Sequence, residues 1–230
     1  MTTLICHATS VTYKVESIFE AENQRPLIIM DKQTLRSHFA HLRQALSPQE
    51  VVTASAAVCH RLAAWSPIAS RQSSISILTY LAFCNEIDLA PLFDTLPQAR
   101  WVIPRIIDDN GMMLHIYDPA RLVPHRFGML EPAPDLPIVD PATLDLVLTP
   151  GVAFDRNGWR LGFGGGYYDR LLPATTAMRV GVTYDEFVVD TLPHNEHDQR
   201  MDWVVTPSEM IHIITAPASP PVYPPPAPTA

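Results

Sequence analysis

The stretch Arg160–Arg170 reads RLGFGGGYYDR and holds four of the chain's nine glycines. Glycine is costly inside regular structure, so such a cluster marks a sharp turn or a backbone that something approaches closely. Gly162, Gly164, Gly165 and Gly166 stand just ahead of YYDRLL (167–172), which reads as a short helix. Backbone N–H groups converging before a helix start suit an anion, phosphate above all. The dinucleotide pattern G-x-G-x-x-G fails, because Tyr167 or Asp169 stands where its last glycine belongs. A Walker A loop fails for want of Gly-Lys-Ser/Thr. Two readings therefore fit the glycines alone: a phosphate cradle, or a tight turn where a hairpin meets a helix.

A cradle without the Walker lysine needs cations from elsewhere. Arg160 and Arg170 bracket the loop. Lys32, Arg36 and Arg43 are spaced by four and seven residues, which places them within a helical stripe of roughly 40°. That stripe is either a basic edge turned toward phosphate or a solvated face with snorkelling stems.

The elements that must position these groups follow from capping and periodicity. Asp31 caps a helix to Leu46, with Leu35, Phe39, Leu42 and Leu46 on its apolar stripe. SPQE (47–50) is a capping box that opens a second helix ending near Trp65. SISILTYL alternates as a strand through Leu81, and Asp88 is placed to cap a short helix to Leu96. RWVIPRI (100–106), MMLHIY (112–117), LDLVLTP (144–150), MRVGVTY (178–184), DWVVTP (202–207) and MIHIIT (210–215) read as strands. LDLVLTP is nearly continuously apolar, as a strand buried on both faces should be. Asn157-Gly158 marks a hairpin between GVAF and WRLGF. Strands alternating with helices predict an α/β fold: a largely parallel central sheet with helices on both faces, a three-layer αβα arrangement. One domain is expected over residues 30–215. Residues 1–29 read as an N-terminal extension or a mis-called leader ahead of Met30. The segment APASPPVYPPPAPTA (216–230) reads as a proline-rich, disordered tail.

The formal net charge is −8, which argues against a broad nucleic-acid surface. No apolar run has the length of a membrane span. Cys6, Cys59 and Cys84 form no CxxC pair, which argues against a disulfide framework and fits a reducing cytoplasm. His194-x-x-His197 has a possible metal spacing within a loop-like segment, and zinc is not expected there.

TPGVAFDRNGWRLGFGGGYYDRLL (149–172) resembles the signature of the 5-formyltetrahydrofolate cyclo-ligases, also called 5,10-methenyltetrahydrofolate synthetases. KQTLR (32–36), NEID (85–88), VIPRI (102–106), FGMLEP (127–132) and GVTYDEFVVDTLPHNEHDQRMDWVVTP (181–207) resemble further blocks of that family, in the same order. The resemblance implies ATP-dependent closure of 5-formyltetrahydrofolate to 5,10-methenyltetrahydrofolate through a phosphorylated formyl group, releasing ADP and phosphate. It implies that Lys32 and Arg36 hold ATP phosphates. Arg160, Leu161, Gly162, Phe163, Gly164, Gly165, Gly166, Tyr167 and Tyr168 would form the nucleotide loop. Leu81, Glu86, Tyr167 and Tyr168 would meet the folate, and Asp169 and Asp198 would hold Mg²⁺, whose hard charge suits carboxylate oxygens. Arg160 and Tyr168 are the candidates for a catalytic part. A cytoplasmic monomer is expected, with small-molecule substrates and neither nucleic acid nor membrane as partner. Leu89, Phe187 and Gln199-Arg200 depart from the family's usual residues, and Phe163 sits where the family varies.

Overall fold

Asp31 begins the fold by accepting from the Thr34 N–H at 2.8 Å, which caps α1 (Lys32–Ala45). The computed structural model describes residues 31–71, 75–108 and 111–214. The extension expected over 1–29, the tail over 216–230 and Cys6 lie outside the described residues. The Ser47–Glu50 capping box forms reciprocally, Glu50 N–H to Ser47 Oγ at 3.3 Å and Ser47 N–H to Glu50 Oε2 at 2.7 Å. It opens α2 (Pro48–Ala64), and Ser66–Ala69 adds one further turn, α3.

The remaining elements are β1 (Ser76–Leu78), α4 (Pro91–Thr95), β2 (Arg100–Asp108), β3 (Gly111–Ile116), β4 (Leu122–Pro124), β5 (Leu130–Pro132), β6 (Leu146–Pro150), β7 (Ala153–Asp155), β8 (Arg160–Leu161), α5 (Tyr167–Leu171), β9 (Met178–Val182), β10 (Val188–Val189), β11 (Trp203–Val205) and β12 (Met210–His212). Seven strands form one sheet in the order β12-β11-β9-β6-β1-β2-β3. Its inner pairs β11–β9, β9–β6, β6–β1 and β1–β2 are parallel, and the edge strands β12 and β3 run antiparallel.

Alternation along the strands divides the core between two faces. Ile77, Leu146, Leu148, Val180 and Val205 join Phe39, Val58, Leu62, Ile68 and Leu92, under α1 to α4. Leu78, Val147 and Val204 join Tyr168, Leu171 and Leu172, under α5. The three-layer expectation therefore holds, with the helices divided unevenly: α5 is the one α-helix on its face among the described residues.

Three local expectations need correction. Leu42 is 38% exposed while Arg43 is 6% exposed, so α1 is rotated toward its basic edge relative to the apolar stripe read from the sequence. The strand expected through Leu81 ends at Leu78, and Tyr80 and Leu81 beyond it line a cavity. Asp88 does not cap α4. Its Oδ1 accepts from the Ala90 N–H two residues on, an Asx turn that competes locally with helix capping.

The direction of chain growth reverses between β1 and β6: β2 lies on one side of β1, and β6, β9 and β11 on the other. A crevice outside the carboxyl ends of such strands is the usual ligand site of an open α/β sheet.

Candidate functional site

A cavity of about 1000 Å³ opens where that crevice is expected, with Tyr80 and Leu81 beyond β1 and Pro150 at the end of β6 among its lining residues. Four of the segments that line it lie far apart in the chain. Lys32 and Arg36 come from α1, and Leu81, Phe83 and Glu86 from the turn after β1. Arg160 through Arg170 supply the glycine loop and α5, and Asn195 through Gln199 supply a loop after β10. Ile103, Ile106, Met112, Phe127, Met129 and Leu130 make an apolar end. Every residue that the family resemblance assigns to nucleotide, folate or metal thus lines one cavity: Lys32, Arg36, Leu81, Glu86, Arg160, Leu161, Gly162, Phe163, Gly164, Gly165, Gly166, Tyr167, Tyr168, Asp169 and Asp198; Arg43, the third member of the basic stripe, does not.

The glycine loop is held from both sides. Arg36 Nε donates to the Gly162 carbonyl at 2.8 Å. Gly164 has φ +104°, a conformation that side chains strain to adopt. A Cβ on Gly165 would lie 2.6 Å from the Tyr167 ring, so the bare backbone there lets the tyrosine fold back. The helix that follows is only five residues long. Its dipole is correspondingly small, and positive charge at the loop comes chiefly from the arginines around it.

Two ion pairs cross the cavity wall. Arg160 Nη2 donates to Asp169 Oδ1 at 2.8 Å, and Lys32 Nζ donates to Asp198 Oδ2. Asp198 Oδ2 also accepts from the Asn195 N–H at 2.6 Å, which closes its own loop. Among the described residues no group of three or more His, Cys, Asp or Glu is arranged to hold a metal. Magnesium needs none, since it is held through one or two carboxylates plus substrate phosphates. Two hard-oxygen carboxylates on the wall of this cavity fit that requirement.

Glu86 ends a turn in which Cys84 and Asn85 have φ of +51° and +58°. Its carboxylate accepts from the Phe83 N–H at 3.0 Å. Burial pushes its pKa up to about 7, against the pull of Arg43 and of that hydrogen bond. Tyr168 is buried under the Arg160 guanidinium, 5.5 Å from the ring centroid. Its hydroxyl has no hydrogen-bond partner within the protein. Burial also raises its pKa well above that of a free phenol. A buried, unpartnered hydroxyl on a cavity wall is costly unless a ligand completes it.

The 5-formyltetrahydrofolate cyclo-ligase family model matches residues 28–207. The chain belongs to the 5-formyltetrahydrofolate cyclo-ligase family. It is 33% identical over 177 residues to the 5-formyltetrahydrofolate cyclo-ligase of Escherichia coli strain K12, covering 73% of this chain and 96% of that one. It is 36% identical over 149 residues to that of Mycolicibacterium smegmatis, covering 60% and 77%. The NMR structure of Aquifex aeolicus 5,10-methenyltetrahydrofolate synthetase superposes with a TM-score of 0.71 at 33% identity, over 84% of this chain and 98% of that one.

Within this cyclo-ligase fold, the departures noted in the sequence do not alter the cavity in one common way. Leu89 and Phe187 are core residues, 0% and 1% exposed. Phe187 packs edge-on against Phe39 and Tyr184. Gln199 and Phe163 do line the cavity, and Phe163 places its ring 4.9 Å from the Arg43 guanidinium. Arg200 donates to the Asn157 carbonyl and lies over Trp159. Trp101, Trp159 and Trp203 pack in or against the core rather than on the cavity. Cys59 is buried and its thiol is pushed up to about 12, chiefly by desolvation, which is the opposite of a reactive thiolate.

Sequence reasoning missed two buried acids that shape the site. Glu131 lines the cavity, pairs with Arg105 at 2.7 Å and accepts from the Ile106 N–H, pinning β5 to β2. Asp155 accepts from three backbone N–H groups, those of Asn157, Trp159 and Leu192, each at 2.9 Å. The D-x-N-G turn carried a signal for Asp155, but only for its two local bonds. The Leu192 contact lies 37 residues away.

Proposed function

We propose that this protein is an ATP-dependent enzyme that closes 5-formyltetrahydrofolate to 5,10-methenyltetrahydrofolate and releases ADP and phosphate. The observation that carries the reading is the meeting, on one cavity, of basic α1, the glycine loop, the Glu86 turn and the Asp198 loop. Phosphoryl transfer demands a fixed triphosphate, neutralised charge and an aligned attacking oxygen. Lys32, Arg36 and Arg160 supply cations for the phosphates, and the glycine loop supplies bare backbone. Glu86 and Leu81 face the folate, and Tyr167 and Tyr168 offer flat rings between the two substrates.

In this reading the formyl oxygen attacks the γ-phosphorus and the bond to ADP breaks. N10 then attacks the activated formyl carbon, its proton is lost, and phosphate leaves as the ring closes. Arg160 stabilises charge on the transferring group, and the Tyr168 hydroxyl gains a partner only when substrate enters. Asp169 and Asp198 would hold Mg²⁺, which would neutralise phosphate charge during transfer. The chain is proposed to act as a cytoplasmic monomer on small molecules, without nucleic acid. No helix among the described residues is long and apolar enough to cross a membrane.

The test is formation of methenyltetrahydrofolate, followed by absorbance, from 5-formyltetrahydrofolate and Mg-ATP. Turnover that requires both substrates is expected. Binding of both substrates without product would overturn the assignment.

A further inference from the structure

Arg43 is a cation to which the proposed reaction gives no part. Its side chain is buried, and its Nε has no hydrogen-bond partner. A buried guanidinium must be compensated by what surrounds it. On the glycine-loop side the half-exposed Phe163 ring lies 4.9 Å from its central carbon, a cation–π contact. On the other side, Arg43 shares the lining of a second, small cavity with Tyr80, Glu86, Tyr184 and Phe187.

The backbone of Arg43 is engaged as well. Asn85 Nδ2 donates to the Arg43 carbonyl at 3.1 Å and to the Leu46 carbonyl at 3.3 Å, closing the end of α1. Tyr184 Oη donates to the Asn85 carbonyl at 2.8 Å. These bonds hold the two consecutive left-handed residues, Cys84 and Asn85, that aim Glu86 into the main cavity. Such a conformation persists only where its surroundings over-determine it.

We propose that Arg43 is a positioning residue that ties the glycine loop to the Glu86 turn, through Phe163 on one side and Asn85 and Glu86 on the other. The two halves of the cavity are thereby set by one helix end. Two side chains of α1 hold the glycine loop, Arg36 on the Gly162 carbonyl and Arg43 on Phe163, while Lys32 holds the Asp198 loop. Only Arg43 also reaches the Glu86 side. The identity of the ligands in the two halves rests on the function proposed above; the tie itself does not.

The experiment uses the ligand-free full chain. Glu86 is followed by carboxyl ¹³C NMR, assigned with Glu86→Gln, and the loop by amide hydrogen exchange at Gly162–Gly166. The groups facing Glu86 are Arg43 from α1, Tyr80 beyond β1, Tyr168 from α5 and Tyr184 beyond β9. Arg43 is the cation among them. Arg43→Met should raise the Glu86 midpoint by about one pH unit and speed loop exchange about two- to fivefold. Arg43→Lys should restore the midpoint. Phe163→Ala should speed loop exchange while leaving the Glu86 midpoint closer to wild type than Arg43→Met does. An unchanged midpoint or unchanged loop exchange in folded Arg43→Met would overturn the tie. Should Arg43→Met fail to fold, wild-type loop exchange in Phe163→Ala would overturn it. Failure of the turnover assay, with these shifts present, would remove the functional reading and leave the tie standing.

Discussion

Arg160 and Asp169 sit on opposite sides of the glycine loop in sequence and meet across its base, Nη2 to Oδ1 at 2.8 Å. The guanidinium is 5% exposed and the carboxylate 21%. In the proposed function the same wall would offer a cation for phosphate and an oxygen for a metal, each now neutralising the other. Lys32 and Asp198 repeat the arrangement elsewhere on the cavity lining. A metal–phosphate ligand, carrying both signs of charge, can replace each partner of both pairs. Phosphate alone or metal alone would leave one member of each pair uncompensated.

That exchange sets the first expectation. Asp169→Asn keeps the shape and a hydrogen bond to Arg160 but leaves that buried guanidinium without its counter-charge, so stability should fall by about 2 to 3 kcal/mol. The Mg²⁺ concentration for half-maximal turnover should rise at least about tenfold. Titration of activity with Mg²⁺ at saturating ATP checks this. An unchanged metal dependence would limit Asp169 to holding Arg160.

Glu86 sets a pH dependence of stability. Its folded-state pKa of about 7 lies above the ordinary carboxylate value of 4.5, so between these values the native protein keeps a proton that the unfolded chain releases. Its stabilising contribution is present below pH 4.5 and is lost as pH rises through 7, a change of about 3 kcal/mol. Urea unfolding at pH 5 and at pH 7.5 should show this loss in the wild type relative to Glu86→Gln. Parallel pH profiles for the two proteins would mean that the folded carboxyl titrates normally.

The unpartnered Tyr168 hydroxyl separates a binding role from a structural one. Removing a buried hydroxyl that lacks a partner should leave stability unchanged or slightly raised. Tyr168→Phe should therefore keep or raise Tm while kcat/KM falls at least about tenfold, the loss of one polar contact in the transition state. A variant with full activity would show that only the ring is needed.

Local chemistry was legible wherever a few neighbouring residues decide the outcome. Asp31, the Ser47–Glu50 box and the Asn157-Gly158 turn each satisfy backbone groups within a few positions. The glycine cluster and the four-and-seven spacing of Lys32, Arg36 and Arg43 were also visible. Which of Leu42 and Arg43 is buried was not, because the contacts of α1's basic edge, Arg36 to Gly162, Arg43 to Phe163 and Lys32 to Asp198, lie far along the chain. Hydrophobic patterning favours Leu42 inside, and the buried cation overrides it. The Lys32–Asp198 pair joins residues 166 positions apart, which no local period encodes. The family resemblance brought Lys32 and Asp198 into one site without indicating that they pair. The strand after Ile75 ended early for a related reason: alternation continues through Leu81, but beyond Thr79, whose N–H still donates to the Val102 carbonyl, Tyr80 and Leu81 line the cavity.

Asp155 carries the last expectation, because it supports the Asp198 loop without touching the cavity. Its Oδ1 accepts the Asn157 and Trp159 N–H groups and its Oδ2 the Leu192 N–H. Trp159 then stacks on His194 with centroids 3.9 Å apart, and Arg200 closes over Trp159's ring. An asparagine here can turn its oxygen toward the two turn amides, but its NH₂ must then face the Leu192 N–H, donor against donor. Asp155→Asn should cost about 2 kcal/mol or more, since a bond to a buried carboxylate is lost and an amide is left unpaired. It should also speed amide exchange at Asn195 and Asp198, and raise the Mg²⁺ requirement through looser placement of Asp198. Asp155→Ala should be worse in stability by a further 1 to 2 kcal/mol or so. Thermal unfolding and amide exchange on the same samples check both. Wild-type exchange at Asn195 and Asp198 in a destabilised Asp155→Asn protein would show that the turn anchors only itself.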